Sequence, residues 1–142
     1  MAGHTGLIGS AVLKCLGKTG FRTIITRSST ELDLTNQIGV REFFRLERPE
    51  YVILAAGKVG GIAANTRYPG DFIYKNLAIQ TNVLEAARVN AVKKLIFFGS
   101  SCMYPVSAAQ PMQEEGLCAG ELEETSIAYA IAKLAGVQMC LA

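Results

Sequence analysis

The sequence predicts an α/β protein built on a doubly wound parallel sheet. Three observations carry this expectation. Short β-rich runs alternate with longer segments of helical period, each run is nearly continuous in apolar residues, and a glycine-rich turn opens the first helical pattern. The runs are Arg22–Thr26, Tyr51–Ala56 and Lys94–Gly99. Continuous apolar runs are expected of parallel strands that helices cover on both faces.

The helical segments follow from their period and their punctuation. Leu7–Gly17 reads as a helix ended by glycine, and Asn36–Glu47 as one capped by Thr35 and stopped before Pro49. Pro69 can open a third helix running to about Asn90, with Phe72, Leu77, Val83, Leu84 and Ala87 as buried positions. Pro105–Gly120 holds Pro105, Pro111, Gly116 and Gly120 without clear period and reads as a loop. A last helix starts near Thr125 and continues to Ala142.

A chain of 142 residues, half of them apolar and 18% charged, is expected to form one domain with one core. Its net charge of +2 and scattered Lys and Arg residues lack the basic stripe of a nucleic-acid binder. No apolar stretch is long enough to span a membrane, and no export signal is recognisable, so the cytoplasm is the expected location. Cys15, Cys102, Cys118 and Cys140 form no CxxC pair, and the single histidine, His4, is not at ligand spacing; neither a metal site nor a disulfide frame is indicated.

Gly3, Gly6 and Gly9 stand in a GxxGxxG pattern with His4, Thr5, Leu7 and Ile8 between them. Glycines there allow a tight turn and bring backbone amides close to a pyrophosphate, whose charge the helix N-terminus favours. The expected domain is therefore Rossmann-like. A dinucleotide-binding unit of this kind needs a strand before the glycine turn, yet only Met1 and Ala2 precede Gly3. The first strand is thus expected to be lacking; in the usual order it would lie between the strands at 22–26 and 51–56.

After the strand at 22–26 come Arg27, Ser28 and Ser29. An arginine at that strand end can neutralise the 2′-phosphate of NADP, where a carboxylate would favour NAD. Arg27 is expected to be that partner, against the alternative of a solvated surface arginine. Asp33 can accept from an adenine amino group or merely support the cap of the next helix. Both readings stay open on the residues alone.

Tyr129 and Lys133 form YxxxK, which on a helix places both side chains on one face. Tyr129 can give its proton to a carbonyl oxygen receiving hydride, while the Lys133 ammonium lowers the phenol pKa and holds the nicotinamide ribose. Upstream, Ser100 and Ser101 end a buried strand, where open α/β sheets bind ligands, and Ser100 can hydrogen-bond the reacting carbonyl. Cys102 stands at the same strand end, either as a base on a carbon next to a ketone or as small buried filler.

These residues resemble the extended short-chain dehydrogenase/reductases that act on nucleotide sugars and, among them, the GDP-L-fucose synthase family. The resemblance is carried by AGHTGLIGSA at 2–11, LAAGKVGGIAAN at 54–65, YPGDFIYKN at 68–76, GSSCMYP at 99–105 and YAIAKLAG at 129–136, which span nearly the whole chain. KVGGIAAN and GSSCMYP are the discriminating segments. The resemblance implies an NADPH-dependent epimerase-reductase that converts GDP-4-dehydro-6-deoxy-D-mannose to GDP-L-fucose, by 3,5-epimerisation and then 4-keto reduction.

It implies NADP(H) contacts at Gly3 to Gly9, from Ser29 through Asp33 to Leu34, at Phe98, Gly99, Ser100 and Ser101, and at Lys133, with Asn76 near the nicotinamide. It implies catalytic roles for Ser100, Cys102, Tyr129 and Lys133, with Cys102 as the epimerisation base. Relatives pair as homodimers through the long helix and the YxxxK helix. The family's epimerisation acid and its C-terminal substrate domain lie beyond the YxxxK helix, so this chain is expected to be an incomplete NADP-binding Rossmann domain. Ser29 and Thr5 stand where some members carry further arginines. Two alternatives remain beside this reading: an NAD-dependent nucleotide-sugar 4-epimerase or dehydratase, and a catalytically silent cofactor-binding fragment.

Overall fold

The computed structural model of the chain describes residues 1–21 and 23–142. They form two compact units, the first from Met1–Gly57 and Ala78–Phe98, the second from Lys58–Leu77 and Gly99–Ala142.

The first unit holds α1 (Leu7–Lys18), α2 (Gln37–Glu47), β1 (Tyr51–Leu54) and β2 (Lys94–Phe97). β1 and β2 pair in parallel, with Tyr51 opposite Lys94 and Leu54 opposite Phe97. A parallel pair requires a long crossover, and the chain between the two strands supplies it through α3 (Ile62–Arg67) and α4 (Pro69–Val89). On the other edge of β1, Ala2 donates to Ile53 O at 2.9 Å and accepts from Ala55 N at 3.0 Å. The Met1 ammonium donates to Ile25 O at 2.7 Å. Met1 and Ala2 thus run between β1 and the segment around Ile25, the lane expected for the strand that precedes a glycine turn.

The strand expected over Arg22–Thr26 is corrected. Arg22 lies outside the described residues, and Thr23–Thr26 adopt no strand. A strand is held by a repeated ladder, and among the described residues the main-chain nitrogen that bonds Thr23–Thr26 is that of Met1, on Ile25 O, where a ladder needs several. The other two strands are shorter than their apolar runs, because Ala55 turns its amide to Ala2 and the parallel pairing ends at Leu54 and Phe97. Exposure varies along the strands: Val52 and Leu54 are buried, while Tyr51 is 56% and Ile96 is 43% exposed.

The core of this unit is small. α2 contributes Val40 and Phe44 from one face, the second half of α4 contributes Val83, Ala86 and Ala87, and Val52 and Leu54 come from β1. The i, i+4 spacing of Val40 and Phe44 sets them on one side of α2. Fully burying side chains such as Phe44 and Leu54 stabilises the fold by roughly 1.5–3 kcal/mol each.

α2 begins one residue later than its expected cap. Asn36, not Thr35, is the N-cap, and its Oδ1 accepts from Gly39 N at 3.2 Å. Thr35 instead donates to Asp33 Oδ1 from both its amide (2.9 Å) and its hydroxyl (2.8 Å). Asn82, buried on α4, donates to the carbonyls of Leu34 (2.9 Å) and Thr35 (3.1 Å) and so fastens this turn to the helix. At its end, α2 stops on Arg48 in the left-handed conformation (φ 42°), immediately before Pro49.

The second unit contains α3, the first turns of α4 from Pro69, and α5 (Ile127–Leu141). α4 opens on Pro69 as expected, with Phe72 1% exposed; Leu77, expected to be buried, is half-buried. The single-turn 3-10 helices Ser101–Met103, Glu114–Gly116 and Glu124–Ser126 break up the long segment before α5. α3 was not foreseen. Among the described residues no helix is long and apolar enough to cross a membrane.

Candidate active site

Within the first unit the glycine turn is built as its chemistry requires. Gly3 has φ +82°, and a Cβ there would lie 2.5 Å from the backbone of Ala55 and Ala56. A Cβ on Gly9 would lie 1.9 Å from Gly3 O. Only glycine fits either place. Gly6 caps α1 without any side-chain hydrogen bond, and Leu7 is 91% exposed, so the first turn of the helix presents amides that have no helical acceptor. Beside the turn, His4 Nδ1 is shut off from solvent with no hydrogen-bond partner among the described residues. An open, positively polarised helix end with an unmatched buried nitrogen beside it fits a phosphate-bearing ligand.

Arg27 is half-exposed, and its guanidinium is engaged. It bonds Glu47 Oε1 at 2.7 Å and the Thr26 carbonyl at 2.8 Å, and it lies 5.6 Å from the centre of the Phe43 ring. Ser29 and Thr5 are exposed. Ser28 donates through its amide and its hydroxyl to Glu31, both at 2.7 Å, and these bonds hold the Glu31 carboxyl below its ordinary range. Asp33 supports the turn before α2. The Leu34 side chain packs on the core and its carbonyl is taken by Asn82.

The second unit brings the side-chain chemistry together. Ser100 caps the 3-10 turn Ser101–Met103, accepting from Cys102 N at 3.3 Å. Tyr129 and Lys133 lie four residues apart on α5. Burial raises the Tyr129 phenol above its ordinary value; a hydrogen bond from Ser100 opposes this, and the charge of Cys102 adds to it. Its ring meets the edge of Phe72 at 6.5 Å. Lys133 is 6% exposed, and desolvation lowers its pKa. Ser100, Ser101, Cys102 and Tyr129 line one cavity of about 550 Å³, a volume suited to a small organic ligand. Gly99 is exposed beside it, Met103 packing against its backbone, and Phe98 closes the first unit.

Asn76 is 2% exposed, and both ends of its amide are bonded. It accepts from Lys58 N at 3.0 Å and donates to Lys58 O at 2.9 Å and Phe72 O at 2.8 Å. It therefore pins the start of the KVGG segment to α4. Lys58 itself sets its ammonium 5.8 Å from the centre of the Phe72 ring.

Asn65 joins the site without a motif of its own in the sequence. This residue lines the cavity and donates to the carbonyls of Gly60 (2.9 Å) and Gly61 (3.2 Å), leaving Oδ1 buried without a partner among the described residues. Two carbonyls facing one amide require the NH₂ group there, so the unmatched atom is an acceptor. The signal was an asparagine shortly after paired glycines. Its meaning depends on the unforeseen α3.

The chain is similar to several proteins named for GDP-sugar chemistry. It is 56% identical over 142 residues to the "Putative GDP-L-fucose synthase 2" of Arabidopsis thaliana, all of this chain matching 43% of that protein. It is 49% identical over 140 residues to the GDP-L-fucose synthase of Escherichia coli K12, with 99% of this chain on 44% of that one. Its fold matches that of MlghC, a GDP-mannoheptose C4 reductase from Campylobacter jejuni with NADP bound. There the TM-score is 0.93 at 47% identity, covering 98% of this chain and 44% of that structure. The chain thus spans less than half the length of these relatives. A family model also matches residues 1–142, and the chain belongs to the NAD dependent epimerase/dehydratase family.

Proposed function

We propose that the protein acts as an NADPH-dependent epimerase-reductase, converting GDP-4-dehydro-6-deoxy-D-mannose to GDP-L-fucose. The observation that carries this reading is one cavity lined by Ser100, Cys102 and Tyr129, in a chain whose relatives are named GDP-L-fucose synthases.

In this reading Cys102 removes the protons at C3 and C5, the carbons next to the C4 ketone, whose carbonyl makes them acidic. Protons returned to the opposite faces complete the inversions. Ser100 then holds the C4 oxygen, and Tyr129 gives it a proton. A phenol raised by burial stays protonated at neutral pH and is ready to donate. Lys133, on the next turn of the same helix, favours the phenolate left behind.

NADP(H), when bound, supplies the hydride to C4. The residues present fit it: the open amides after Gly6 suit a pyrophosphate, the Gly3 and Gly9 positions exclude any side chain, and His4 Nδ1 lacks a partner. Arg27 would hold the 2′-phosphate, which selects NADP, and Lys133 the nicotinamide ribose. Ser29, Asp33, Leu34, Asn76 and the 98–101 stretch complete the assignment, with Asp33 and Asn76 acting through the backbone turns they hold. A cytoplasmic homodimer paired through α4 and α5 belongs to the same reading. Tyr74 on α4 is 66% exposed and Ile131 on α5 is 44% exposed, and both leave apolar surface for such pairing.

The test is turnover. The encoded polypeptide, with any sequence that flanks these residues, is incubated with GDP-4-dehydro-6-deoxy-D-mannose and NADPH, and the product is identified by NMR. GDP-L-fucose is expected; an untouched sugar together with interconversion of UDP-hexoses refutes the assignment.

A further inference from the structure

We propose that Glu47 sets how strongly this chain prefers a 2′-phosphorylated dinucleotide, by holding the Arg27 guanidinium and partly neutralising it. The inference rests on the reading of Arg27 as the 2′-phosphate partner and adds a residue to it that the sequence pattern did not single out.

Arg27 is gripped from two sides. The residue before it supplies the Thr26 carbonyl at 2.8 Å, and α2 supplies Glu47 at 2.7 Å with the Phe43 ring at 5.6 Å. Phe43 and Glu47 are four residues apart and share one face of α2, so a single helix face presents both the stacking surface and the counter-charge. Glu47 is also the last residue of α2, where the negative end of the helix disfavours a carboxylate. The guanidinium relieves that conflict. The pair is therefore held by more than its own attraction, and Arg27 keeps this place when a ligand arrives.

A guanidinium carries five N–H donors, and the contacts above use two of them. The side chain is 39% exposed, so the remaining donors can meet a phosphate without leaving Glu47. What the phosphate then meets is a nearly neutral pair and not a lone cation. A carboxylate just behind the guanidinium repels a 2′-phosphate while scarcely touching a free 2′-hydroxyl. At surface dielectric and ordinary salt, charges at such separations change affinity by roughly three- to tenfold. Glu47 therefore moderates the preference for NADP over NAD and keeps the arginine ordered.

The test uses two probes that differ only in the 2′-phosphate, adenosine 2′,5′-bisphosphate and 5′-AMP. They are titrated calorimetrically into the encoded polypeptide and its variants. Glu47→Gln keeps the shape and the hydrogen bond but removes the charge. It is expected to raise the ratio of bisphosphate to AMP affinity by about three- to tenfold, with Glu47→Lys raising it further, and both gains are expected to shrink as salt rises. An unchanged or lower ratio in both variants overturns the proposal, since a merely structural role for Glu47 would lower it in both. Arg27→Gln separates the two layers. If Arg27→Gln lowers the ratio while the Glu47 variants leave it flat, only the role of Glu47 fails. A flat response to Arg27→Gln, or no binding of either probe, refutes the underlying reading as well.

Discussion

The two units use different atoms for their sites. At the glycine turn of the first, the groups suited to a ligand are backbone amides at the start of α1, where Gly3 and Gly9 leave no room for a side chain, and the Arg27 guanidinium is the side chain added to them. In the second, the groups proposed to react are the side chains of Ser100, Cys102, Tyr129 and Lys133, at a 3-10 turn and on one face of α5. A site made of backbone cannot be separated from the fold that bends it, whereas a site made of side chains can be altered while the scaffold stands. Substitutions at the glycine turn should therefore change stability and binding together, and substitutions of the cavity side chains Cys102 and Tyr129 should change turnover with the scaffold kept.

The sharpest contrast is expected at Tyr129. Tyr129→Phe removes the donor oxygen and keeps the ring that meets Phe72, so turnover should fall by about 10²–10⁴-fold with the melting temperature unmoved. A parallel loss of stability would break the distinction between the units. Gly9→Ala should do the opposite. Its Cβ would lie 1.9 Å from Gly3 O, so the turn must shift, and a fold penalty of about 1–3 kcal/mol should accompany lost dinucleotide affinity. Chemical denaturation and a binding titration on the same variant check both.

Lys133 adds a pH dependence of definite sign. Burial lowers its folded pKa below the unfolded value, so over that interval the unfolded chain binds more protons than the folded one. The contribution of Lys133 to stability should therefore grow as pH rises through the lowered pKa, while turnover falls over the same range as the ammonium is lost. Lys133→Met should abolish the stability trend, read from melting curves across pH. The smallest effect is expected at Asn82, where alanine removes two bonds to the turn before α2. Asn82→Ala should cost about 1–2 kcal/mol, faster amide exchange at Leu34 and Thr35 being its local signature.

Legibility in the sequence followed the same division. The glycine turn could be read because a positive φ and a close backbone approach each demand glycine, and spacing alone records that demand. The YxxxK pair could be read because helical period sets residues 129 and 133 on one face. The segment after Arg22 could not, since apolar composition says nothing about whether a neighbouring strand is present to pair with it. Thr35 and Asn36 are both good caps, and only the bonds of Asp33 to Thr35 and of Asn36 to Gly39 decide between them. The Arg27–Glu47 pair and the unmatched acceptor on Asn65 are products of chain folding, and no local pattern encodes them.

The central claim is that the cavity around Ser100, Cys102 and Tyr129 performs proton abstraction next to a ketone. Wash-in of solvent deuterium at C3 and C5 of GDP-4-dehydro-6-deoxy-D-mannose, compared between the encoded polypeptide and its Cys102→Ser variant, tests it most directly. The account predicts exchange at both carbons in the parent, and exchange lost in the variant while dinucleotide binding is retained. Exchange at undiminished rate in Cys102→Ser would contradict it.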